Sequence, residues 1–161
     1  MGLKLYACGS STSVEEAAVN VPLDYGPLVK DPAGVLDLPQ GFSYRVISKQ
    51  GEVMNDGLLV PGKHDGMAAF SGANGRVIIV RNHERVPTDK EFGAFGVDNV
   101  NLSAIPKDDL YEYGSGEFPG LGGTTTLVYN EDTGVLESHY LSLAGTYRNC
   151  AGGAMPWGSI C

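Results

Sequence analysis

Residues 124–143 read TTTLVYNEDTGVLESHYLSL, and this stretch decides the fold class. Residues 124–129 are mostly β-branched, with Leu127 and the aromatic Tyr129, residues 130–134 are a turn segment ending in glycine, and residues 135–143 return to a β-type run. Two such runs joined by a five-residue turn predict an antiparallel hairpin. Upstream, residues 65–70 (DGMAAF) give a further strand, residues 72–75 a glycine-flanked turn, and residues 76–82 (RVIIVRN) the most apolar strand, expected to be central. DGMAAF, RVIIVRN, TTTLVY and VLESHYLSL make four antiparallel segments, the content of one propeller blade. Residues 42–48 (FSYRVIS) alternate apolar and polar as a half-buried strand does, and with residues 150–157 they are assigned to neighbouring blades.

The expected class is therefore all-β: a partial β-propeller of about one four-stranded blade plus strands of its neighbours, behind an extended N-terminal arm. Residues 1–24 are read as the arm or a remnant signal, with extended character running to about residue 40 and a helical turn at residues 14–19. Residues 83–122 show no period and hold Pro87, Pro106 and Pro119 with a run of acids, which predicts an excursion on one face rather than part of the core. One blade and two fragments would leave open strand edges, which natural sheets cover or avoid.

Composition narrows the partners. Eleven Lys and Arg against nineteen Asp and Glu leave a net charge of −8, which repels a nucleic-acid backbone or an anionic membrane surface. The 23 glycines among 161 residues, about twice the usual ~7 %, speak against a helical bundle. The longest aliphatic run, residues 77–80, falls far short of the ~20 residues of a spanning helix, so no transmembrane segment is expected. Cys8-Gly9-Ser10-Ser11 resembles the end of a lipoprotein signal without its apolar centre, and Cys8 is read as a lipidation remnant or an incidental thiol. Cys8, Cys150 and Cys161 cannot all pair within one chain.

Two clusters carry candidate chemistry. Arg81-Asn82-His83-Glu84 lies where the apolar strand runs out into the long loop; Glu84 offers a hard oxygen for Ca²⁺ or Fe³⁺, His83 a nitrogen and Asn82 an amide oxygen. The plainer reading is a solvated strand end with an Arg–Glu contact. Asn149-Cys150-Ala151-Gly152-Gly153 offers a thiolate beside two glycines that permit close backbone approach, against the plainer reading of an inert cysteine at a glycine turn. Zinc-finger and P-loop spacings are absent. His64 and His139 receive no role, His139 is expected to be exposed, and Asp56 and Asp65 are read as turn residues.

Taken in order, YGPLVKDPAGVLDLPQGFSYRVIS, DGMAAF, VIIVRNHE, GGTTTLVYN and LSLAGTYRNCAGGAMPWGS resemble the N-terminal part of a PhoX-type alkaline phosphatase, over residues 25–159. The resemblance implies a calcium- and iron-dependent phosphomonoesterase on a six-bladed β-propeller, acting on small phosphomonoesters and exported to the periplasm or beyond. It implies metal-ligand roles for Glu84 and Cys150, with Asn82 and His83 as adjacent candidates, and it assigns no residue as catalytic. Family chains are several times longer, so residues 25–161 are expected to be a truncated portion of such a domain with an incomplete site. Two other readings are a non-catalytic β module that self-associates or binds a partner through open strand edges, and a calcium-dependent lactonase-like propeller hydrolase.

Overall fold

The structure, a computed structural model, describes residues 25–113 and 119–158. The chain divides into two compact units, Met1–Arg45 and Val46–Cys161. The expected helical turn at residues 14–19 and Cys8 lie outside the described residues.

Within the first unit, β1 (Leu28–Val29) pairs antiparallel with β2 (Leu38–Pro39). Between them the Asp31 carboxylate gathers the loop. It accepts from the N–H groups of Ala33, Val35 and Leu36 at 3.0, 2.9 and 3.2 Å and from the Tyr44 hydroxyl at 2.6 Å. Hydrogen bonds from the Tyr44 phenol and those amides hold the Asp31 carboxyl well below the usual carboxylate range. Residues 25–40 are thus a compact turn, not the extended arm expected from sequence. Nor do residues 42–48 form a strand: Phe42, Tyr44 and Val46 are exposed and Tyr44 is turned to Asp31. Alternation makes a strand only where a neighbour completes the ladder, and the boundary between units falls inside this segment.

The second unit holds a four-stranded antiparallel sheet in the order β3-β4-β5-β6, formed by His64–Ser71, Arg76–His83, Gly120–Asn130 and Val135–Gly145. Both hairpins stand where the sequence placed them. The first turns through Asn74 and Gly75, at φ 57° and 71°, the left-handed pair that suits a tight hairpin. In the second, Gly134 at φ 66° closes the turn and its N–H donates to Asn130 O at 2.9 Å. β4 lies inside the sheet, as its apolarity predicts, and no α-helix occurs among the described residues.

The long segment after β4 differs from expectation. Its described residues carry four short 3-10 turns, Lys90–Phe92, Val97–Asn99, Leu102–Ala104 and Lys107–Asp109. Ala94, Phe95 and Leu110 from this segment pack with Met54, Leu58, Val60, Leu121 and Ala144 as the main apolar core. The segment is part of the core rather than an excursion. Its apolar residues come from successive turns, which share no common period, so periodicity has nothing to detect.

Both sheet edges are partly covered. On β6, the His139 N–H donates to Asn55 Oδ1 at 2.7 Å and the Leu141 N–H to Asp56 Oδ2 at 2.7 Å, while Asn55 N–H returns a bond to His139 O at 2.9 Å. Asp56 is a turn residue as expected, its other oxygen accepting from Leu58 N–H at 3.0 Å. His139 is half-buried rather than exposed. On β3, Gly66 N–H donates to Cys150 O at 2.8 Å.

Candidate functional site

Strand alternation sends Arg81 and His83 to one face of β4 and Asn82 to the other. All three are buried. On the first face, His83 has no exposed surface; its Nδ1 lies 3.1 Å from Gly62 O and its Nε2 2.9 Å from Thr125 Oγ1. A carbonyl only accepts, so Nδ1 carries the proton and Nε2 accepts from the threonine hydroxyl. Thr125 Oγ1 in turn accepts from Arg81 Nε at 3.1 Å, and Arg81 Nη2 donates to Ser48 Oγ at 3.2 Å. Burial, with smaller contributions from the Arg81 and His64 charges, pushes His83 down to about 3. Burial likewise pushes Arg81 down to about 10, opposed by the Glu52 carboxylate. His64 stands edge-on to His83, ring centres 5.2 Å apart, and is also lowered by burial and then by the Arg81 charge. His83 in this arrangement is a neutral imidazole with both nitrogens engaged by the protein.

On the opposite face, Asn82 Nδ2 donates to Gly66 O at 3.0 Å and its Oδ1 accepts from Asn149 Nδ2 at 2.7 Å. Asn149 Nδ2 also donates to Gly123 O at 2.6 Å, and its Oδ1 accepts from the Thr146 hydroxyl. Next along the chain, Glu84 is half-buried and its N–H donates to Lys63 O at 3.0 Å; no hydrogen bond or ion pair ties its carboxylate to another described residue. The Arg–Glu contact of the plainer reading is therefore not formed, Arg81 having turned to Thr125 and Ser48. Arg85, which sequence reasoning passed over, is buried. Its guanidinium donates to Asp89 O, and its own carbonyl accepts from Arg148 N–H at 3.1 Å.

These bonds bring together three strings far apart in sequence: VRNHE at the end of β4, GGTTT on β5, and RNCAGG after β6. Cys150 is a free, exposed thiol, tied at its carbonyl to Gly66. The fit needs glycine on the facing strands. A Cβ on Gly66 would meet Ala151 Cα at 2.8 Å, one on Gly122 would meet Asn149 Oδ1 at 2.6 Å, and one on Gly123 would run into Leu143 O. Gly153, by contrast, faces open space. Because Gly123 meets backbone rather than a movable side chain, Gly123→Ala is expected to destabilise the protein by about 1–3 kcal/mol or more, read as a lower urea midpoint. A midpoint equal to the parent's would refute the close approach of β5 and β6.

As a metal centre the donors are few. Among the described residues no three His, Cys, Asp or Glu side chains converge on one point. Both His83 nitrogens are engaged, whereas the Asn82 oxygen spends one of its two lone pairs on Asn149 and the Glu84 carboxylate and the Cys150 thiol have no described side-chain partner. A hollow of about 320 Å³ between Leu58, Ile105, Leu141 and Leu143 is bordered by none of these candidate residues.

Residues 23–161 match the family model described as alkaline phosphatase PhoX, a span that includes all three converging strings. The chain belongs to the PhoX alkaline phosphatase family. No curated protein and no solved structure gives a significant match to it. PhoX membership accords with the resemblance carried by VRNHE, GGTTT and RNCAGG, and the structure adds that these strings meet at one end of the sheet.

Proposed function

We propose that the chain serves phosphate-monoester hydrolysis as a PhoX-type alkaline phosphatase, with Glu84 and Cys150 as its donors to calcium and iron. The observation that carries this reading is the convergence of VRNHE and RNCAGG, joined by the Asn149–Asn82 bond of 2.7 Å and the Arg148–Arg85 bond of 3.1 Å. A carboxylate suits both Ca²⁺ and Fe³⁺, and a thiolate suits iron. Such ions would neutralise phosphate charge. The described residues supply two donors, short of a complete centre, and no bond-breaking step is assigned to them. On this reading the four-stranded sheet is one blade of a propeller, and the protein works outside the cytoplasm on a small-molecule phosphomonoester. No helix among the described residues is long and apolar enough to cross a membrane.

The test is hydrolysis of p-nitrophenyl phosphate with Ca²⁺ and Fe³⁺ supplied, for the parent, Glu84→Gln and Cys150→Ser. Turnover in the parent that falls at least tenfold in each variant supports the reading; full activity in both removes Glu84 and Cys150 from the site. A module that self-associates through open edges is disfavoured by the cover that Asn55, Asp56 and Cys150 give those edges. Stable dimers in light scattering would revive it.

A further inference from the structure

We infer that Asn149 and Asn82 are positioning residues: a two-amide clamp that fixes Cys150 against the sheet end. The inference rests on the reading of Cys150 as a metal donor. The geometry is a closed circuit. Cys150 O accepts from Gly66 N–H at 2.8 Å, an amide shared with Asp65 Oδ1 at 2.7 Å; Gly66 O accepts from Asn82 Nδ2 at 3.0 Å, Asn82 Oδ1 accepts from Asn149 Nδ2 at 2.7 Å, and Asn149 is joined to Cys150 by the peptide bond.

Carbonyl oxygens fix the direction of every bond in this ring. Gly66 O and Gly123 O can only accept, so the amino groups of Asn82 and Asn149 must face them, and Asn82 Oδ1 is left to face Asn149. The Asn82 oxygen thereby turns one of its two lone pairs to Asn149. Asn82 acts on the thiol through Asn149, not as a ligand beside it. Gly66 completes the circuit because any side chain there would strike Ala151 and the Cys150 carbonyl. Groups that orient a metal ligand without touching the metal commonly change affinity or activity about 10–100-fold when removed.

Two measurements on the whole chain test the clamp in Asn149→Ala, Asn82→Ala and the double variant. Without metal, and with Asp65→Ala in the parent and in every variant so that Cys150 O is the remaining acceptor, the Gly66 amide is expected to exchange hydrogen at least tenfold faster in each variant, while the Val128 amide in the middle of β5 keeps the parent's rate. With Fe³⁺, the thiolate-to-iron absorption band is expected to weaken and shift, with affinity falling about 10–100-fold. Because both residues act through one circuit, the double variant should lose little more than the worse single one. Unchanged Gly66 exchange overturns the clamp. A band lost in Cys150→Ser yet unaltered in Asn149→Ala overturns the positioning role and leaves the Cys150 reading standing. A band that survives Cys150→Ser overturns that reading and this inference together.

Discussion

Phe95→Ala lowers the stability of the protein by about 3–5 kcal/mol, the usual effect of emptying a buried aromatic site. Phe95 lies between two short 3-10 turns in a segment without strands, where a substitution would ordinarily be mild. It is nonetheless only 2 % exposed and belongs to the cluster formed with Met54, Leu58, Val60 and Leu110. Urea unfolding should show a large drop in midpoint at unchanged slope. Val100→Ala, at a residue 71 % exposed in the same segment, should stay within about 0.5 kcal/mol of the parent. Equal effects of the two substitutions would show that the segment does not carry the core.

His83 makes stability depend on pH over a window that reaches above the carboxylate range. Its folded value is about 3 against an ordinary value of 6.5, so between those values the unfolded chain binds a proton that the native protein does not. Stability therefore rises with pH through this window, is fully present above pH 6.5, and is lost as pH falls toward 3. The full change is on the order of 5 kcal/mol, with a slope approaching about 1.4 kcal/mol per pH unit. The cause is local: protonating Nε2 would set a second cation beside Arg81, on a threonine oxygen that already accepts from it. His64, lowered in the same direction, adds to the slope, whereas Asp31, Asp89 and Glu137, lowered by their hydrogen bonds, act only below their ordinary values of 3.8, 3.8 and 4.5, so the range above 4.5 belongs to the histidines. Urea midpoints between pH 6.5 and 4.5 should fall less steeply for His83→Gln than for the parent. The His83 ring resonances of the parent should stay untitrated down to pH 4. Parallel slopes, or a ring that titrates near 6.5, would contradict the buried neutral imidazole.

Much of the sheet was legible because hairpins are local. Asn74-Gly75 and residues 130–134 specify their turns with neighbouring residues alone, and the apolar run on β4 marks an interior strand. Residues 42–48 show the limit of the same reasoning: their alternation is real, but a ladder partner is a tertiary fact and none is present among the described residues. Phe95 and Leu110 escaped because core residues delivered by turns have no spacing to recognise. Threonines 124–126 read as ordinary strand residues, yet all are buried, and Thr125 serves Arg81 and His83 at once.

The candidate site divides along the same line. Its strings, and with them the family, were determined by the sequence alone, since a motif is a property of residue order. Which atoms of those strings remain available was decided only by the tertiary structure. His83 meets Thr125 across 42 positions and Asn82 meets Asn149 across 67. A hydrogen-bonding side chain can serve a ligand only with the donors and acceptors its fold partners leave free, and those partners are distant in sequence. That is why Asn82, His83 and Glu84 look alike as candidate ligands in the sequence, while the fold gives both His83 nitrogens and one lone pair of the Asn82 oxygen partners within the protein.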